Sequence, residues 1–173
     1  MSESIDLRPL RVADVPAVLA LQAQCYEAQF LESAEAFAAK LRAAEPLQTS
    51  WMAWRGDTAL AYLVGLPLCQ DSLPALNAPQ LELPAQPRLL YLHDLAVAPA
   101  GRALGLARRL VAQLEARARA LGLATLGLVA VQDSQAFWQR QGFELLQPAP
   151  ASGLALKLAS FGPQARYMER RLA

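Results

Sequence analysis

Two arginines bracket a run of small residues at Arg102-Ala103-Leu104-Gly105-Leu106-Ala107-Arg108, where an apolar strand-like segment gives way to an amphipathic helix. A turn of this kind leaves several backbone N–H groups without partners at a helix N-terminus, where the helix dipole is positive. That arrangement suits phosphate or pyrophosphate. Gly105 has no Cβ, and Ala107 nearly matches it, so a bulky anion can approach the backbone. Arg102 and Arg108 add charge at the rim. A solvated helix start is the plainer alternative, and two arginines around a small-residue turn favour the anion. Neither common phosphate loop fits. The chain has no Gly-Lys-Ser/Thr, and Gly101 and Gly105 come too late and too few for a dinucleotide fingerprint.

The segment before this turn reads Leu89-Leu90-Tyr91-Leu92-His93-Asp94-Leu95-Ala96-Val97. His93 is the only histidine. Imidazole titrates near neutrality, so His93 can serve as a general base, directly or through water, or else be a satisfied core residue. Strand alternation puts Tyr91 and His93 on one face and Asp94 on the other, unless a bulge intervenes. Asp94 then reads as structural, paired with backbone or an arginine. One histidine, with Cys25 and Cys69 at no metal spacing, provides no metal site.

These residues need a scaffold. Ile5 to Pro9 reads as a first strand. A helix capped by Asp14 follows to about Tyr26, and a second runs from Ser33 to about Ala44, stopped at Pro46. Thr49–Trp54 and Thr58–Leu66 form a hairpin around Arg55-Gly56-Asp57. Residues 67–88, rich in proline, read as one long surface loop. After the strand Leu89–Val97 and the anion turn, Leu106, Leu110, Val111, Leu114 and Ala118 make one helical stripe that ends at Gly122. Thr125–Val131 has the continuous apolar character of a buried parallel strand. Asp133 or Ser134 caps a short helix, Gln135–Gln141, which closes on Gly142-Phe143 in a Schellman motif. A strand begins at Phe143. Residues 148–162 read as a loop with room for one short strand, and Ala165–Leu172 is the last strand.

The bulk numbers narrow the class. A chain of 173 residues, 54% hydrophobic, fits one domain over 1–173 with a well-filled core. A formal net charge of +1 gives no field that draws nucleic acid. No apolar run spans a bilayer, and the start Met1-Ser2-Glu3-Ser4-Ile5-Asp6 is acidic and polar rather than a signal peptide. Two unpaired cysteines fit a reducing, cytoplasmic compartment. A monomer or homodimer is expected.

Taken in order, Arg102-x-x-Gly105-x-Ala107, the preceding strand and Phe137-Trp138-Gln139-Arg140-Gln141-Gly142-Phe143 resemble the R/Q-x-x-G-x-G/A signature, fourth strand and F-Y-x-x-x-G-F element of the GNAT N-acetyltransferases. The resemblance runs from about Ile5 to the end. It implies an α/β (α+β) fold with a mixed, mostly antiparallel sheet of about seven strands, flanked by helices and splayed at the central parallel strands. It implies acetyl-CoA as co-substrate, with no metal, and acetyl transfer to a primary amine of a small molecule or peptide. The alternatives are a non-catalytic acyl-CoA binding module and a protein N-terminal or lysine acetyltransferase. In the family a bulge in the fourth strand frees backbone groups for pantetheine and the thioester carbonyl, and Leu95, Ala96 and Val97 match that position. The pyrophosphate then falls on residues 102–108. Tyr26, beside Cys25, falls where the acceptor wall begins. Tyr26 and Tyr91 offer ring faces to an ammonium group, and Asp71 and Glu82 are the acids of the 67–88 loop. Two departures stand out. Trp138 replaces the tyrosine that protonates the leaving thiolate, and tryptophan cannot act as an acid, which leaves Tyr91 or Tyr26 as substitutes. The asparagine before the short helix is also missing, so Ser134 or Gln132 falls to the pantetheine, with helix capping the plainer role for Ser134.

Overall fold

The computed structural model describes residues 4–173; Met1-Ser2-Glu3, part of the polar start, lie outside the described residues. The elements are β1 (Ile5–Pro9), α1 (Val15–Cys25), α2 (Ala34–Ala44), β2 (Trp51–Arg55), β3 (Thr58–Leu68), β4 (Leu89–Val97), α3 (Leu106–Ala120), β5 (Thr125–Ala130), α4 (Gln135–Arg140), β6 (Glu144–Leu145), α5 (Gly153–Ala159) and β7 (Arg166–Arg171). The strands form one sheet in the order β1-β2-β3-β4-β5-β7-β6. Every neighbouring pair is antiparallel except β4 and β5, which run parallel.

Alternation along the central strands splits the core into two layers. Tyr62, Val64, Leu66, Tyr91 and Tyr167 pack under α1 and α2, while Leu63, Leu90, Leu92, Leu126 and Met168 pack under α3 and α4. Helix α3 buries Leu106, Leu110, Val111, Leu114 and Ala118, the stripe read from the sequence. A Cβ on Gly65 would collide with the Thr49 carbonyl oxygen and lie 2.6 Å from Leu114 Cδ1 of α3. The close approach of the Thr49 backbone, with α3 packed behind it, requires glycine at that position.

Several local expectations are corrected. Asp14 does not cap α1 with its side chain; its carboxylate accepts instead from the Arg11 N–H, at 2.9 Å, around a 3-10 turn over Val12–Asp14. Ser33 does cap α2, accepting from the Ala36 N–H at 3.1 Å. The hairpin strand β3 runs to Leu68 rather than Leu66. Residues 148–162 contain α5, where a loop was expected. Pro148, Pro150 and Gly153 punctuate the sequence there, but Ser152 accepts from the Ala155 N–H and starts a helix that buries Leu154. The Schellman ending of α4 is present: the Phe143 N–H reaches the Trp138 carbonyl at 3.1 Å, and their rings meet at 5.5 Å.

Candidate functional site

The parallel pair β4–β5 stays in register only from Leu90–Leu126 to Leu92–Leu128. On the other side of β4, Leu92 faces Gly65 and Asp94 faces Val64, so His93 is the extra residue of a bulge. The bulge lies at His93, not at 95–97 as expected from the sequence. It turns both His93 and Asp94 to the α1/α2 side, which corrects the alternation that put Asp94 on the opposite face. Beyond it β4 leaves β5 and a cleft opens. Ala98 donates to the Leu60 carbonyl at 2.8 Å, so Ala96 also turns its backbone toward β3. Leu95 and Val97 alternate the other way, and their N–H and C=O groups face the cleft. Ala96 contributes only its side chain.

Side chains at the end of α1 cover part of this edge. The Tyr26 hydroxyl donates to the Leu95 carbonyl at 2.7 Å, and the Cys25 thiol donates to the Val97 carbonyl at 3.3 Å. Cys25 therefore stands on the cleft wall while also packing against the α1/α2 layer. Burial raises its pKa against the opposing pull of Arg102, so the thiol stays protonated. The Asp94 carboxylate accepts from the Tyr62 hydroxyl at 2.6 Å. Burial pushes the Asp94 carboxyl up, and burial followed by the Asp94 charge holds the Tyr26 and Tyr62 phenols well above their ordinary range. Asp94 is structural, as expected, but its partner is a tyrosine.

The sequence reading missed the group that holds His93. Glu32, two residues before the start of α2, bonds its Oε1 to His93 Nε2, while its Oε2 accepts from Lys40 Nζ at 2.9 Å and from the Asn77 N–H at 3.0 Å. The Lys40, Glu32 and His93 side chains are 0%, 3% and 1% exposed. Burial alone would raise the Glu32 pKa, but His93 and then Lys40 override it and bring it to about 2. An ionised Glu32 can only accept, so His93 Nε2 carries a proton. Nδ1 is buried and has no partner. No local signal in Leu31-Glu32-Ser33 announces this contact, which spans 61 residues.

This arrangement links stability to acid. The folded Glu32 pKa lies below its unfolded value of 4.5. Its stabilisation is therefore complete above about pH 4.5 and is lost as pH falls toward 2. The loss is expected to be on the order of 3 kcal/mol. Thermal unfolding measured from pH 6 to pH 2.5 should show a steeper acid decline in the parent than in Glu32→Gln, which has no carboxylate to protonate there.

A groove continues from the cleft past Leu95, Val97 and Phe137 to Gly101, Arg102, Ala103, Gly105, Leu106, Ala107 and Arg108. Gly105 takes the N-cap position of α3 with φ +68°, and no side chain caps the helix. The first intrahelical bond runs from the Arg109 N–H to the Gly105 carbonyl, leaving the N–H groups of Leu106, Ala107 and Arg108 free. Ala103 is also left-handed, at φ +65°, a strained conformation for a residue with a Cβ. Among the named loop residues only Leu104 turns away, its side chain 40% exposed.

The structure brings His93, Tyr26, Leu95, Ala96, Val97 and Ser134 to one cleft. Ser134 stands at the start of α4 without capping it, and neither does Asp133, which is left-handed at φ +57°. The Ser134 hydroxyl is thus free for the cleft, reversing the expected preference. Gln132 accepts from the Glu27 N–H at 2.8 Å and ties the end of β5 across the cleft to the end of α1. Tyr91 is not on the cleft wall. It is 0% exposed in the α1/α2 layer, its hydroxyl has no partner, and burial raises its pKa far above the ordinary value. Its expected roles as acid and acceptor contact lack access. Asp71 and Glu82 are likewise absent from the lining, to which the long loop contributes Leu76.

Solved structures share this architecture. The GphF GNAT-like decarboxylase in complex with isobutyryl-CoA superposes with a TM-score of 0.75 at 17% identity, covering 97% of this chain and 100% of its own. The ribosomal-protein-S18-alanine N-acetyltransferase of Escherichia coli gives 0.64 at 16% identity, over 98% and 95% of the two chains. The PaiA N-acetyltransferase of Thermoplasma acidophilum in complex with coenzyme A gives 0.67 at 13%, over 97% and 99%. No curated protein matches the sequence. No described helix is long and apolar enough to cross a membrane, and no group of described residues could hold a metal ion. The model of the acetyltransferase (GNAT) family matches residues 15–143, and the chain belongs to that family.

Proposed function

We propose that residues 1–173 act as one acetyl-CoA-dependent N-acetyltransferase domain that modifies a primary amine by direct attack. The observation that carries this reading is His93: a buried imidazole at the β4 bulge, its Nε2 fixed by Glu32 and its Nδ1 free, beside backbone N–H groups that face the cleft. The groove fits coenzyme A by its chemistry. Residues 102–108 supply an uncapped helix start with two arginines, and a Cβ built on Gly105 meets nothing within 4 Å. Acetyl-CoA supplies a thioester, so a new N–C bond forms as C–S breaks and CoA leaves as thiolate.

The residues divide the remaining work. Leu95 and Val97 N–H groups meet the carbonyl oxygen as it gains charge. His93 takes the proton the amine sheds, relayed by a water because Nδ1 is itself buried, since an alkyl ammonium ordinarily holds it to a pKa of about 10.4. Ser134 and Gln132 border the path for pantetheine. The Tyr26 hydroxyl, held on the Leu95 carbonyl, is the phenol nearest the role that Trp138 vacates. Thiol release from acetyl-CoA across a panel of amines tests the reading, and protection from heat by CoA but not by pyrophosphate tests the groove.

Trp138 also favours a second reading. A carboxyacyl-CoA that loses CO2 keeps its thioester and takes a proton from water at the α-carbon, so no thiolate needs an acid, and the GphF domain is a decarboxylase of this fold. Conversion of malonyl-CoA to acetyl-CoA would select it. Trp138→Tyr tests the acyl-transfer reading. In an acyl transfer lacking its acid, the change should leave kcat equal or raised, at some cost in stability because Trp138 packs on Phe137 and Phe143. A marked fall in kcat in a folded variant would show that Trp138 itself is needed. Binding of acetyl-CoA with no turnover of any kind would leave a non-catalytic module.

A further inference from the structure

The acceptor end of the cleft is lined mainly by apolar side chains, and its two carboxylates sit low in the wall, each already bonded to a neighbour. Three segments far apart in sequence converge there: Phe30 from the α1–α2 connection, Leu76 from the long loop and Phe161 from the α5–β7 connection. Two acids line the same cleft, and both are engaged. Glu32 spends Oε1 on His93 and Oε2 on Lys40 and Asn77, with its side chain 3% exposed. Asp94 is held by the Tyr62 hydroxyl. Asp71 and Glu82 lie elsewhere.

Resting on the acetyl-transfer reading, we propose that the acceptor is a monoamine whose substituent is apolar, an aryl or branched alkyl group, rather than a polyamine or an aminoglycoside. One nitrogen becomes neutral by giving its proton to His93. Each further ammonium in the cleft would lose water and meet only Asp94, already held against the Tyr62 hydroxyl, as counter-charge. An apolar substituent instead covers Phe30, Leu76 and Phe161 and removes their surface from water. The same chemistry occurs in a free amine and in a peptide that begins with a large apolar residue.

Thiol release from acetyl-CoA is compared for 2-phenylethylamine, isoamylamine, spermidine, kanamycin and a short peptide with N-terminal phenylalanine. Expected is a kcat/KM at least tenfold higher for the first two, or for the peptide, than for spermidine or kanamycin. The free-amine and peptide arms tell the two sources apart. Phe30→Ala should reduce kcat/KM for 2-phenylethylamine more than for ethylamine. Leu76→Asp, at a half-buried position that tolerates a polar group, should shift the ratio toward spermidine. Fastest turnover of spermidine or kanamycin by the parent would overturn the inference while leaving acetyl transfer intact. No turnover of any amine, with acetyl-CoA still raising Tm, would remove both together.

Discussion

Replacing His93 with alanine is expected to lower the acetyl-transfer rate by about 100-fold and to remove the acid limb of the pH–rate profile. The imidazole is the one cleft group with a free basic nitrogen, and the attacking amine must lose its proton. Glu32→Gln supplies the control. An amide oxygen can still accept from Nε2, but it carries no charge. This variant should lose less activity than His93→Ala. An unchanged profile in a folded His93→Ala variant would reduce the residue to packing. Lys40 complicates Glu32→Gln, since its ammonium stays buried with only the Ala36 and Ala78 carbonyls, at 3.4 Å each. The profile and the Tm should therefore be measured on the same sample.

Gly105→Val is expected to weaken coenzyme A binding by about 100-fold or more, roughly 2.8 kcal/mol. The branched side chain would project into open groove at the N-terminus of α3, where the pyrophosphate is expected, and meets no protein atom of its own. The fold should survive with a lower Tm, because φ +68° is left-handed and a residue with a Cβ costs about 1–2 kcal/mol there. Gly105→Ala separates the two effects. It carries most of the backbone strain and little of the bulk, so its Tm should fall with a smaller loss of affinity. Isothermal titration with acetyl-CoA reads the affinity. Parent-like binding by Gly105→Val would place the phosphates elsewhere.

Local patterns carried much of the fold. β4 was bounded correctly at Leu89 and Val97, α3 was read from its stripe, and the Schellman end at Gly142-Phe143 was read from the two residues that form it. Each is written in consecutive residues by strand alternation, helical period or one glycine in the left-handed region. α5 was missed because its proline and glycine neighbours mask a helix that depends on Ser152 and the burial of Leu154.

The sequence by itself determined the uncapped glycine turn at 102–108 and the histidine on the strand before it, because both depend on residues close together along one strand and one helix start. Only the tertiary structure decided which way those groups face. The bulge at His93 arises from the register between β3 and β4, and it moved Asp94 across the sheet. Burial removed Tyr91 from the site, and the free hydroxyl of Ser134 came from its backbone conformation. The Lys40–Glu32–His93 chain joins α2, the turn before it and β4 through contacts that span up to 61 residues. No periodicity records such contacts, since they exist only where packing excludes water and forces buried charges to find one another.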